Sequence, residues 1–285
     1  MPYRKNHHLS RAFHHIDYRI LHTKQPEPFR RIKVHASRRE VIQLVEEGFL
    51  VIQDLLSASS VSVMQGALGR VVTAENNDPL RQVEPCLGGR YVRHLLEKDR
   101  GFFELFSHEI PLSIARATLG PQVQFDELTA RVTDLSDEDA QIPWHIHHRV
   151  LLEPMPPLFA YPHGINCLFY LDKVDESSGP LCVLPGSHRS NTTHFKEADT
   201  TPKEGEISLP VDAGTAILIH ANLWHRSLPA RKRAGLRRVI IAGYLPSWLK
   251  TEEAAKNVPP PRRQRRLQRH QDAEVRELAG VFRWG

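Results

Sequence analysis

The first half of the chain and the second repeat their apolar positions at different periods. In "SRREVIQLVEEGFLVIQDLL" (37–56), Val41, Leu44 and Val45 recur at the three-and-four spacing of an amphipathic helix. Ser37, followed three residues later by Glu40, forms a capping box at its start, and Gly48 ends it. "FLVIQDLL" (49–56) then reads as a buried strand and turn. A second helix is expected after Ser59–Ser60, with Val61, Met64, Leu68 and Val71 on one face. Residues 92–119 contain two further helical stretches, closed by Gly120–Pro121.

From about residue 122 the period changes. "VQFDELTARVTDL", "INCLFYLD", "PLCVLP", "TAILIH" and "RVIIAGYL" are short, rich in β-branched and aromatic residues, and separated by Gly, Pro, Ser and Asp. Helices followed by a run of strands predict a mainly-β, α+β domain with a helical flank. Many short strands without intervening helices argue for an antiparallel sandwich or barrel and against a parallel sheet. The expected organisation is a basic surface arm over 1–36, the β domain with its N-terminal helices over 37–250, and a basic C-terminal tail or helix over 251–285.

Composition narrows the function classes. The 285 residues are 40% hydrophobic and 25% charged, ordinary for a soluble globular protein. No apolar run approaches the roughly 20 residues of a membrane helix, and the basic N-terminus lacks a signal-peptide core, so a cytoplasmic protein without a membrane partner is expected. Cys86, Cys167 and Cys182 form no close pair and read as reduced, packed thiols. The net charge of +5 equals the five arginines of "RRQRRLQRH" (262–270), so the rest of the chain balances to zero. That tract reads as a solvated face; without interleaved aromatics it gives no platform for bases, and nucleic acid is not an expected partner. Neither GxGxxG nor GxxxxGK[ST] occurs.

The candidate chemistry lies in histidines. "PWHIHHRV" (143–150) places His145 and His147 two apart, on one side of an extended segment, where both imidazoles can reach one cation. In a chain with 17 histidines such a pair also arises by chance. Further on, the strand Thr215–His220 leads to a loop with His225, then Ser227, and the next strand opens with Arg237 and Arg238. If that strand alternates, one of these arginines faces inward and can grip a carboxylate, with a hydroxyl beside it. Trp144 and Trp224 each precede a candidate histidine and read equally well as pocket walls or as apolar packing. His148, His163, His188 and His220 read as structural or exposed, with His188 ordering the turn in "PGSHR".

These motifs together resemble the phytanoyl-CoA dioxygenase-like family of iron(II)- and 2-oxoglutarate-dependent oxygenases. "EVIQLVEEGFLVIQDLLSASSVSVM" is similar to its opening helix–strand–helix. "PWHIH" stands where the family has Trp-His-x-Asp, "INCLFYLDKVDESSGPLCVLPGSHR" where it has its central strand pair and Pro-Gly-Ser-His, and "DAGTAILIHANLWHRS" where it carries its distal histidine. The resemblance implies a double-stranded β-helix, a jelly-roll barrel of the cupin type, braced by the N-terminal helices. It implies Fe(II) bound by His145 and His225, with 2-oxoglutarate held at its distal carboxylate by Arg237 and Ser227. The slightly long interval from His225 leaves Arg238 as a substitute for Arg237. It further implies hydroxylation of a small organic substrate with release of succinate.

One position departs from the pattern. His147 replaces the family's iron-binding aspartate, and Arg149 and Val150 show that no shift of register recovers an acid. Imidazole in place of a carboxylate leaves the centre about one charge more positive. Four outcomes stay open: His147 completes a three-histidine iron site; a remote acid, Glu153 or Asp134, takes the place; three imidazoles hold zinc and a bound water for hydrolysis; or the barrel binds a ligand without catalysis. His-x-His followed by Glu153 is also similar to the three-histidine, one-glutamate set of cupins, although its intervals differ.

Overall fold

Two strands, β1 (His14–Arg19) and β2 (Phe29–Val34), pair antiparallel where the polar composition suggests a surface arm. Ile32, Val34 and Ala36 are buried, and Tyr18 donates its hydroxyl to the Arg116 carbonyl at 2.8 Å. β2 and the residues after it therefore reach the core, while β1 stays half-buried or exposed; Ile32 and Val34 are obscured in the sequence by the arginines and lysine around them. The computed structural model describes residues 11–19, 29–77, 84–86, 89–135, 141–147, 163–190, 195–196, 198–231, 235–251 and 262–282.

Helix α1 (Arg38–Glu47) starts on the expected capping box: Ser37 Oγ accepts the Glu40 N–H at 3.2 Å and the Glu40 carboxylate accepts the Ser37 N–H at 2.7 Å. It stops at Gly48, whose φ of 88° lies in the left-handed region that glycine enters without steric cost. Leu44 is buried and Val41 packs against the core, but Val45 is 47% exposed, so the apolar stripe is narrower than the spacing suggests. Strand β3 (Phe49–Ile52) follows. Helix α2 (Ala58–Asn76) begins earlier than expected, because Ser57 and not Ser59–Ser60 provides the cap: its Oγ accepts the Ser60 N–H at 3.1 Å. Val61, Met64, Leu68 and Val71 form its buried face. Strands β4 (Glu84–Cys86) and β5 (Gly89–Val92) and helices α3 (Leu95–Lys98), α4 (Phe103–Phe106) and α5 (Glu109–Leu119) complete the first half.

The remaining strands are β6 (Val123–Asp134), β7 (Ile142–His145), β8 (Ile165–Tyr170), β9 (Leu181–Val183), β10 (Ile207–Leu209), β11 (Ala216–His220), β12 (His225–Ser227) and β13 (Leu236–Pro246). They build a large antiparallel sheet, β3-β11-β8-β13-β6-β5-β4, and a small one, β10-β9-β12-β7. Among the described residues no hydrogen-bonded ladder closes the two into a cylinder; they face each other as the halves of a double-stranded β-helix. Strand alternation gives the large sheet two different faces. Ile165, Cys167, Phe169, Leu218, Ile240, Ala242 and Tyr244 turn outward and bury against the helices. Leu168, Tyr170, Ile217, Ile219 and Val239 turn inward and form a second apolar cluster with Leu181 and Val183 of the small sheet. Cys167 and Cys182 are buried free thiols, as expected.

The C-terminal segment is also more than a solvated tail. Helices α6 (Arg262–Leu267) and α7 (Ala273–Leu278) bury Leu267, Leu278 and Ala279 in the core under the large sheet. Glu277, 2% exposed, accepts from Arg116 at 2.8 Å and from Arg30 at 2.7 Å, tying the chain end to α5 and β2. Among the described residues no helix is long and apolar enough to cross a membrane. Because Glu277→Ala leaves the buried Arg116 with only its half-exposed partner Glu274, at 3.0 Å, it is expected to cost about 3 kcal/mol. Asp17→Ala, which removes an exposed pair with Arg31, should leave the midpoint close to that of wild type. Urea unfolding midpoints measure both, and equal effects would contradict this account of how the C-terminus is anchored.

Candidate metal centre

The pairing of β12 with β7 brings His225 directly opposite His145, although the two stand far apart in the chain. Both side chains project into the space between the sheets, with ring centroids 4.2 Å apart. His147, two residues beyond His145, turns to the same side; its backbone N–H is held by the Ala221 carbonyl at 2.8 Å. Its ring centroid lies 5.5 Å from His145 and 5.0 Å from His225, and its Nε2 is 3.1 Å from His225 Nε2. One donor atom from each ring lies within 4.8 Å of the others. Two nitrogens each about 2.1 Å from one ion are about 3.0–3.4 Å apart, a spacing that His147 and His225 already have, which makes the cluster a candidate metal site.

The hydrogen bonds on the far side of the rings favour that use. His145 Nδ1 lies 2.9 Å from the Pro143 carbonyl and His225 Nδ1 lies 2.7 Å from the Leu223 carbonyl. A carbonyl only accepts, so each Nδ1 carries the proton and each Nε2 keeps a lone pair. Burial pushes the His145 pKa down to about 4 and holds that of His225 well below the usual histidine value, with the neighbouring imidazoles adding to the effect at His225. Both rings are neutral at pH 7, the state in which imidazole ligates.

The triad opens into a cavity of about 350 Å³ that Arg237, Ser227, Arg131, Tyr91, Tyr170 and Asn166 also line. Of the two arginines on β13, Arg237 faces inward and is 5% exposed. Its guanidinium donates to the carbonyls of Ser178, at 3.0 Å, and Gly179, and lies 3.4 Å from Thr133 Oγ1. None of these partners is an acid, and burial lowers its pKa. Gly179 has φ +73°, and a Cβ there would overlap the Leu228 carbonyl and the guanidinium itself, so glycine is required for this approach. Arg238 points to the opposite face of the strand and pairs with Asp172 at 2.5 and 2.9 Å, which removes it as the inward arginine. Ser227 Oγ, buried on the cavity wall, has no hydrogen-bond partner among the described residues.

Of the acids considered for the vacant ligand place, Asp134 is exposed at the end of β6 and does not border the cavity; alternation turns it away from the face that carries Thr133. Glu153 and His148 lie outside the described residues. Trp144 and Trp224 pack with Phe195, at 5.3 and 4.7 Å between ring centroids, rather than lining the cavity, and Arg226 stacks on Trp144. His188 is a buried turn residue whose Nε2 lies 2.9 Å from the Val45 carbonyl, and His220 is buried beside it. Sequence reasoning missed Arg131, Tyr91 and Asn166. The guanidinium of Arg131 lies 5.3 Å from the Tyr91 ring centroid, and the Tyr91 hydroxyl, pushed up to about 12 mainly by burial, donates to Thr129 at 3.1 Å. A signal for Arg131 was present: in "ELTARVTD", Glu127, Thr129, Arg131 and Thr133 alternate with Leu128, Ala130 and Val132.

The profile of the family described as phytanoyl-CoA dioxygenase (PhyH) matches residues 44–239. Crystal structures of HygX from Streptomyces hygroscopicus resemble the chain: with nickel and 2-oxoglutarate bound, the TM-score is 0.64 at 19% identity over 76% of this chain and 89% of HygX. With hygromycin B also bound, the TM-score is 0.63 at 21% identity over the same shares. The non-haem α-ketoglutarate-dependent carbocyclase SnoK from nogalamycin biosynthesis gives 0.62 at 18% identity over 79% of this chain and 91% of its own. No curated protein matches the sequence.

The depressed histidine pKa values carry a sign. Below about 6.5 the unfolded chain takes up protons that folded His145 and His225 refuse, so these groups add stability at neutral pH that is lost as pH falls from about 6.5 toward 4. Each contributes a slope of about 1.4 kcal/mol per pH unit in that window. Replacing both with Gln should flatten the pH dependence of urea unfolding of metal-free protein accordingly, and an unchanged slope would contradict the neutral, buried assignment.

Proposed function

Because the chain belongs to the phytanoyl-CoA dioxygenase family, we propose that it is an iron(II)- and 2-oxoglutarate-dependent oxygenase of a small organic molecule, with His145, His147 and His225 as metal ligands. The observation that carries this reading is the combination of three convergent imidazoles with a buried, acid-free guanidinium on the wall of one cavity. Iron with 2-oxoglutarate, when bound, supplies activation of dioxygen, one oxygen atom entering the substrate while the oxoacid leaves as succinate and carbon dioxide.

The chain's own residues do the rest. His145 and His225, fixed by their carbonyl partners, present Nε2 lone pairs without first losing a proton. Arg237 takes the distal carboxylate of 2-oxoglutarate. A guanidinium buried among carbonyls is costly until an anion reaches it, and its fixed orientation reduces the ordering needed on binding. Ser227 Oγ, without a partner among the described residues, gives that carboxylate a second donor. With imidazole at 147 the metal centre lacks one negative charge, and the dianionic oxoacid offsets part of it. The inward apolar residues Leu168, Leu181 and Val239 limit water around the site. HygX with hygromycin B bound supports a small organic molecule as the substrate class.

A second reading, a zinc-binding or non-catalytic barrel, is favoured by one observation: no carboxylate belongs to the cluster of potential ligands among the described residues. Protein purified without a histidine tag separates the two. The oxygenase reading expects one iron per chain and succinate formed from 2-oxoglutarate; zinc or no metal, with no succinate, contradicts it. Arg237→Ala should weaken 2-oxoglutarate binding about 100-fold, as expected for losing charge-assisted hydrogen bonds to a buried carboxylate, with iron content unchanged. Arg238→Ala, on the other face, should change it by less than about threefold. Loss of iron in Arg237→Ala, or a larger effect at Arg238, would contradict the assignment.

A further inference from the structure

The three imidazoles differ in what holds their outer nitrogen. His145 and His225 face carbonyl oxygens, which permit only one tautomer. His147 Nδ1 faces the side-chain amide of Asn166, at 2.9 Å from its Nδ2. An amide NH₂ only donates, so in this arrangement His147 Nδ1 accepts and the ring proton sits on Nε2. That proton points at His225 Nε2, 3.1 Å away, and bridges two rings that would otherwise turn lone pairs toward each other. It also blocks ligation, because the nitrogen that would meet the metal carries hydrogen.

We propose that Asn166 is the positioning residue that decides whether His147 can serve as a ligand, by presenting its NH₂ to the metal-free ring and its carbonyl oxygen to the metal-bound one. This rests on the triad reading above. The two states differ by half a turn of the carboxamide about its Cβ–Cγ bond. With Oδ1 toward the ring, Nδ1 carries the proton and Nε2 turns a lone pair inward, matching His145 and His225.

The surroundings of Asn166 suit both orientations. It sits on β8 in register with Gly243 of β13. A Cβ at Gly243 would lie 3.3 Å from Asn166 Oδ1 and 3.8 Å from Asp126 Oδ2, so both oxygens border the gap that glycine leaves. Glycine at 243 leaves room beside the carboxamide, and turning it brings its oxygen to an N–H polarised by the metal. That exchange favours the turned state once a cation is bound. The family pattern has a carboxylate ligand at position 147, which needs no tautomer control; substituting histidine creates the need that Asn166 meets.

Titration of metal-free protein with cobalt(II), followed by visible absorption, tests this together with long-range ¹H–¹⁵N spectra of ¹⁵N-histidine-labelled protein. Asn166→Leu should weaken cobalt binding about 10–100-fold, as for other partners of metal-bound histidines. Asn166→Asp, which can only accept, should stay within threefold of wild type or bind more tightly. In the spectra, His147 should be protonated at Nε2 without metal and at Nδ1 with zinc, whereas His145 and His225 keep Nδ1–H throughout. The proposal is overturned by cobalt affinity of Asn166→Leu within threefold of wild type. An Asp variant that falls as far as the Leu variant overturns it too, as does metal-free His147 already protonated at Nδ1. Wild type that binds no cobalt overturns the triad reading as well; normal wild-type binding with an indifferent Leu variant removes only the role of Asn166.

Discussion

The site depends on the register of one short antiparallel ladder. His225 of β12 lies opposite His145 of β7, and Cβ atoms of directly opposed residues in such a ladder are about 4.5–5.5 Å apart. Backbone pairing thus brings the two imidazoles together before any side-chain rotamer is chosen. A slip of one residue would turn one of them to the outer face, among Trp144, Phe195 and Trp224. The outer face is itself part of the constraint: Trp144 Nε1 donates to the Thr201 carbonyl at 2.9 Å, and Trp144 packs against Phe195 and under the Arg226 guanidinium. Alternation therefore fixes aromatic packing outside and the candidate metal ligands inside with the same strands.

Burial has opposite consequences for the two kinds of base in the cavity. It keeps imidazole neutral and ready to donate to a cation, while it leaves the Arg237 guanidinium charged among carbonyls and in need of an anion. A metal and a dicarboxylate satisfy both at once. Imidazole in place of the family's carboxylate would change the charge of the proposed metal centre but leave this complementarity in place, because Arg237, Ser227 and Gly179 are independent of position 147. On the proposed reading, control of the third ligand moves outward, to the amide of Asn166.

Much of this was legible in the residues. The Ser37–Glu40 capping box, the stop at Gly48 and the buried face of α2 follow from local spacing, and the strands after residue 122 follow from their composition. His145, His147, His225, Ser227 and Arg237 could be named from motif order and then stand around one cavity. What escaped has physical reasons. The β1–β2 pair and the C-terminal helices bury few apolar residues amid many charges, so composition points to solvent while Ile32, Val34, Leu267 and Leu278 point to the core. Asn166 and Tyr91 carry no motif of their own; their importance arises from the rows that β8 and β5 form with neighbouring strands, which a linear pattern does not order. The choice between Arg237 and Arg238 needed the direction of β13, supplied by the pairing of Arg238 with Asp172.

The central claim is that three imidazoles from β7, its following turn and β12 surround one iron ion. X-ray absorption at the iron K-edge of anaerobically loaded protein reads this most directly, since imidazole rings scatter in a way that carboxylates do not. The account predicts three histidine rings per iron with nitrogens at about 2.1–2.2 Å, close to ordinary metal–imidazole distances. A fit requiring two histidines and a protein carboxylate, or iron with no imidazole at all, would contradict it.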